Sequence, residues 1–166
     1  VYCSNKQFET NCYGGDLRGL EKVTFSGTYN FNGLEVSDDW LVHWTKNYRS
    51  KFVNTINTAN DEPFYVETFL NTKDFTCNTS PVMSLEDPII TATIGSENEV
   101  KLLMTDPEGD ELSFEIVDPR VTGDIDLPYK GGYSAQSPIS SSTNISISND
   151  GVLKFSPTKI DEISQV

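Results

Sequence analysis

The densest run of ligating side chains is Thr105-Asp-Pro-Glu-Gly-Asp-Glu-Leu112, where Asp106, Glu108 and Asp110 set carboxylates at alternate positions around a Pro-Glu-Gly-Asp turn. Hard divalent cations take oxygen ligands of this kind, so the three residues are a candidate calcium site, and calcium is the one cofactor the chain suggests. The bidentate Glu and twelve-residue span of an EF-hand loop are missing, which removes that assignment. The competing reading is an acidic β-turn between Leu103 and Leu112 whose Asp side chains accept hydrogen bonds from nearby amides, and it is the favoured one. Asp118, Asp124 and Asp126 would add ligands if their loop folded back.

Other chemistries find less. His43 is the only histidine, it stands between Trp40 and Trp44, and no Gly-x-Ser-x-Gly elbow accompanies it. Gly14-Gly15 and Gly131-Gly132 lack the strand, helix and Lys setting of a phosphate loop and read as turns. A glycosidase pair needs a polar cleft and an acid of raised pKa, whereas the carboxylates here fall on predicted turns. The expectation is a protein that is not an enzyme. Trp40, Trp44, Tyr48 and Tyr65 could form a platform for sugars, yet the even spacing of Trp40 and Trp44 is also that of one buried strand face, which is preferred. Cys3, Cys12 and Cys77 are too few and too irregular for a zinc module. A Cys3–Cys12 disulfide would suit an oxidising, extracellular location, with Cys77 left single or paired with one of them.

Twelve Lys and Arg against twenty-five Asp and Glu give a net charge of −13, which repels phosphate backbones and anionic lipid, so nucleic acid is excluded as a partner. No apolar run approaches the roughly 18 residues that span a bilayer, and the opening Val-Tyr-Cys carries no signal core. The last residues, Lys159 to Val166, break off as alternation resumes, which reads as truncation within a domain.

The elements that must position these residues are strands. Apolar residues recur mostly at every second position and Gly, Asn, Asp, Ser or Pro interrupt every ten residues or so. Strands are expected at Leu20 to Phe31, Trp40 to Trp44, Phe64 to Leu70, Ile89 to Ile94, Glu99 to Met104, Leu112 to Val117, Asn144 to Ile147 and Val152 to Phe155. Asn32-Gly33 is a turn, and Asn149-Asp150-Gly151 should close a hairpin that sets Ile145 and Ile147 across from Val152, Leu153 or Phe155. Asn47 to Glu62, with a short strand near Phe52, and Gly131 to Thr143 read as surface loops. The fold class is all-β: two small β-sandwich domains of immunoglobulin-like or cadherin-like type in tandem, residues 1–80 and 81–166, joined at Asn78-Thr-Ser-Pro81.

Several stretches in one order carry a resemblance: Thr10-Asn-Cys-Tyr-Gly-Gly15 with Gly19 to Phe25; Trp40-Leu-Val-His-Trp44 with Arg49; Tyr65 to Asn71; Asn78 to Pro81; Thr105 to Leu112; Gly132-Tyr-Ser-Ala135 with Ser137-Pro-Ile139; and Gly151 to Pro157. The chain resembles the extracellular segments of large Bacteroidota surface proteins associated with gliding motility. It departs from them at Asn47-Tyr48, where the family carries paired cysteines, and at Glu108, where it carries Asp. The resemblance implies export by type IX secretion, display on the outer surface, and a part in adhesion or gliding. Its partners would be neighbouring domains of the same long protein, secretion or anchoring machinery, and surface polysaccharide. The rival reading is a carbohydrate-binding module of a secreted protein; a hydrolase stands third.

Overall fold

An alternating sequence becomes a strand only where a neighbour takes up its backbone groups, and in this chain only some segments find one. A computed structural model describes residues 14–15, 24–50, 52–57, 61–74, 77–84 and 90–165. Its regular elements are all strands: β1 (Trp40–Lys46), β2 (Phe64–Leu70), β3 (Val82–Met83), β4 (Asn98–Lys101), β5 (Met104–Thr105), β6 (Arg120–Thr122), β7 (Ile125–Asp126), β8 (Ser146–Ile147) and β9 (Val152–Phe155). The protein is therefore all-β, built from small sheets. Among the described residues no helix is long and apolar enough to cross a membrane.

The chain forms two compact units, Val1–Glu35 and Val36–Val166. In the first, the Asn32-Gly33 turn is present, with Gly33 at φ 84° and Leu34 N–H donating to the Phe31 carbonyl at 3.1 Å. Thr24 to Phe31 forms no strand: Phe25 and Tyr29 are exposed, and Tyr29 lies edge-on to Phe31 at 5.0 Å. The proposed start of that strand, the Cys3–Cys12 pair and Ile89 lie outside the described residues.

The second unit includes the Asn78–Pro81 stretch. Its longest ladder is the antiparallel pair β1–β2, in register from Trp40↔Leu70 to Lys46↔Phe64. Its mouth is closed by Thr72, whose Oγ1 accepts from Trp40 Nε1 at 3.1 Å and whose N–H donates to the Ser37 carbonyl at 2.7 Å. β9 is the centre of a three-stranded sheet of order β4-β9-β8. The expected hairpin is present, with Gly151 at φ 75° and Ile147 facing Leu153, but Ile145 lies outside the ladder and donates its N–H to Gln136 O at 2.9 Å. β3 pairs with β5, and β6 with β7 across a register shift. Two expected strands are missing from any ladder. Ile90 to Ile94 has no strand partner, and Leu112 to Val117 keeps an alternation of half-buried and exposed residues without the hydrogen-bonded neighbour that defines a strand.

Burial also differs from expectation. Trp40, Val42 and Trp44 share one face of β1, but the ribbon is two-stranded, so that face is not a core: Val42 is exposed and Trp44 is 38 % exposed. The core centres instead on Ile56 and Leu127, 1 % and 2 % exposed, with Val53, Val121 and Tyr129 packed around them. Leu153, Phe155 and Ala135 are buried elsewhere in the unit. Thus Thr55 and Ile56, within an expected surface loop, are among the least exposed residues, and Ala135 lies in the other such loop. Backbone pairing explains the first: Asn57 N–H donates to Pro128 O at 3.0 Å, Lys130 N–H to Thr55 O at 2.9 Å, and Ile56 bridges Tyr129.

Candidate functional site

At the acidic turn, Gly109 at φ 86° lets the chain reverse, and its N–H donates to the Asp106 carbonyl at 3.2 Å. Asp106 Oδ1 accepts from the amides of Glu108 and Asp110 at 2.9 and 3.1 Å. Glu108 turns away to Thr79, whose Oγ1 and N–H donate to it at 2.7 and 3.2 Å. Asp106, Glu108 and Asp110 are therefore not brought around one point, and among the described residues no three His, Cys, Asp or Glu side chains are placed to hold a metal ion. Asp126 pairs at 3.7 Å with Arg120, not with the turn. The geometry is that of backbone capping. Asp106→Ala is expected to cost about 1 kcal/mol, the usual price of a local cap. Millimolar calcium should leave the melting temperature of the wild type unchanged, and a rise of several degrees would count against capping.

The ribbon carries the aromatic candidates. On one face Trp44 meets Phe64 edge-on at 6.1 Å, beside Val42 and Val66, both exposed. On the other, His43 stacks on Tyr65 at 5.5 Å, and Phe69 is 67 % exposed opposite Leu41. Tyr65 Oη donates to Glu67 Oε2 at 2.7 Å, which raises the phenol pKa, since ionisation would set two negative charges together. Glu67 also pairs with Arg120 of β6, fixing one end of this face. Tyr48 stands apart, exposed at φ 71°. Cys77 is free and exposed.

Two charged groups that carry much of the unit's polar architecture escape a pattern-based reading. Arg49 is 7 % exposed. Its Nε donates to Pro63 O at 3.0 Å, one terminal nitrogen to Gln165 Oε1 at 2.5 Å, and the other to the Arg120 carbonyl, while its guanidinium lies 5.3 Å from the Phe64 ring centre. Burial lowers its pKa, opposed by the nearby Glu62 carboxylate. Glu162 has a side chain only 7 % exposed. Its oxygens accept from Tyr133 Oη at 2.6 Å, Ser140 N–H at 2.5 Å and Ser140 Oγ at 2.7 Å, with Lys159 Nζ at 3.3 Å. Burial by itself would raise this carboxyl's pKa; the Tyr133, Ser140 and Lys159 donors outweigh it and hold the pKa at about 2. Glu162 sits in Asp-Glu-Ile-Ser and stands in no motif, while Arg49 enters the sequence reading only as the arginine that accompanies Trp40-Leu-Val-His-Trp44 in the resemblance, with no role attached.

Comparison with known proteins finds no matching family model, no matching curated protein and no matching solved structure.

Proposed function

We propose that the chain is a non-catalytic module of a large bacterial cell-surface protein that acts in adhesion or gliding motility and is exported by type IX secretion. The observation that carries this reading is the β1–β2 ribbon. It exposes Val42, Trp44 and Val66 on one face and Leu41 and Phe69 on the other, in a chain whose net charge is −13, and apolar side chains grouped on a charged exterior mark a contact surface. We read the finer architecture as tandem immunoglobulin-like or cadherin-like sandwiches, with the β4-β9-β8 sheet as one layer of the second.

Beads coated with the chain should adhere to hydrophobic and polysaccharide-coated glass. Trp44→Ser together with Phe69→Ser should cut retention about tenfold, as expected for two aromatic contacts of about 0.7 kcal/mol each, while the melting temperature holds. Equal retention by a folded double variant would remove the ribbon from the reading. The carbohydrate-binding alternative is favoured by the partly exposed Trp44 ring beside Phe64. Glycan-array binding lost in a folded Trp44→Ala chain would select it.

A further inference from the structure

Residues 161–165 form no strand, yet they are fixed along residues 49–54 and 129–140 by their main chain and two side chains. Asn54 works like a neighbouring strand: its N–H donates to Ile163 O and its Oδ1 accepts from Ile163 N–H, both at 2.9 Å, and its Nδ2 donates to Asp161 O at 2.6 Å. Tyr129 Oη holds the Gln165 carbonyl at 2.8 Å, and Arg49 takes the Gln165 side-chain oxygen. Tyr133 and Ser140 offer the Glu162 carboxylate donors only, so the pocket accepts a group without N–H of its own. The receptor residues lie 22 to 116 positions earlier in the chain. The approach to the groove is more open: Thr158 N–H donates to Ser140 O at 2.9 Å, but Thr158, Lys159, Ile160 and Asp161 are all exposed, and Asp161 is held at φ 58°, in the left-handed region that non-glycine residues rarely adopt.

We propose that this groove is a peptide-recognition site for an extended Asp-Glu-Ile-Ser-Gln segment, and that residues 161–165 of a second copy of the chain fill it in exchange for the chain's own. Every contact that holds the strap is indifferent to which copy supplies it. Swinging out at Lys159–Asp161 leaves the Thr158–Ser140 bond and every ladder in place and frees Asp161 from the left-handed region, which is the situation in which identical elements exchange between protomers. The tethered segment competes at an effective concentration of about millimolar, so exchange is concentration-dependent and grows when the chain's own strap is weakened. Linkage of this kind, head to tail, joins copies in a row. The inference does not depend on the surface reading above.

Two full-length variants test it. One carries Glu162→Ala and Gln165→Ala, which frees its groove; the other carries Asn54→Ala and Tyr133→Phe, which frees its strap. Each should sediment as a monomer, and their equimolar mixture as a 1:1 complex. If either variant fails to fold, the wild type serves, with a synthetic peptide of residues 158–165 added to several times the effective concentration, about 10 mM. Hydrogen exchange at the chain's own Ile163 amide should then quicken about tenfold, and the same peptide with Glu162→Lys should have no effect. Monomers in the mixture of two folded variants, or an Ile163 amide unmoved by the peptide, overturns the proposal.

Discussion

Arg49→Met should destabilise the Val36–Val166 unit by about 2 to 4 kcal/mol, seen in urea unfolding as a lower midpoint with an unchanged slope. Methionine fills much of the same space and relieves the desolvation of a charge, so packing loss is not the cause. The cost comes from three acceptors, Pro63 O, Arg120 O and Gln165 Oε1, which lose their donor at a site only 7 % exposed. A lysine at the same position keeps the charge but cannot serve a fork of three directions, so Arg49→Lys should lose roughly half as much. For a unit with total stability of about 5 to 15 kcal/mol, the methionine variant should melt about 10 °C lower. A loss under about 0.5 kcal/mol would mean that water replaces the guanidinium freely.

The second large effect belongs to Glu162. Its pKa is about 4.5 in an unfolded chain and about 2 in the fold. The folded value is the lower, so the stabilisation is complete above pH 4.5 and disappears as pH falls through 2. Glu162→Gln puts an amide N–H₂ against the Ser140 donors and should cost about 2 to 3 kcal/mol at pH 7. The difference in melting temperature between wild type and Glu162→Gln should be widest at neutral pH and close steadily between pH 4.5 and 2. A gap that is the same at pH 7 and pH 2.5 would show that the carboxylate's charge contributes nothing. Lys159 is exposed and lies at the edge of this contact, so Lys159→Ala should shift the curve far less than Ser140→Ala.

What could be read in advance was local. β1 and β2 alternate along their whole length, and Asn149-Asp150-Gly151 carries its own turn geometry, so these elements stand where period and turn chemistry put them, down to Ile147 facing Leu153. Period alone does not say whether a strand finds a partner. Leu112 to Val117 alternates as well as β2 does and joins no ladder, and the face shared by Trp40 and Trp44 is left uncovered by a second sheet among the described residues. The acidic turn was legible as either a cap or a cation site, and which of the two it is depends on Glu108 reaching Thr79, 29 residues away. The roles of Arg49 and Glu162 were invisible for the same reason. Each is one charged residue whose donors and acceptors come from distant, non-repeating positions, and the polar loops that hold them look like surface until Ile56 is seen to pair with Tyr129.

The separation of Arg49 from Gln165 also sets a timetable. The β1–β2 ribbon closes within a stretch of 31 residues, from Trp40 to Leu70, and can form soon after Leu70 is made. Arg49 has to wait for an acceptor 116 positions downstream. At about 5 to 20 residues per second, a ribosome needs roughly 6 to 23 s to supply it. The Pro63 and Arg120 carbonyls, 14 and 71 positions from Arg49, are made sooner, so the guanidinium gains its acceptors one after another, and a chain stalled just before residue 165 lacks only the last of the three.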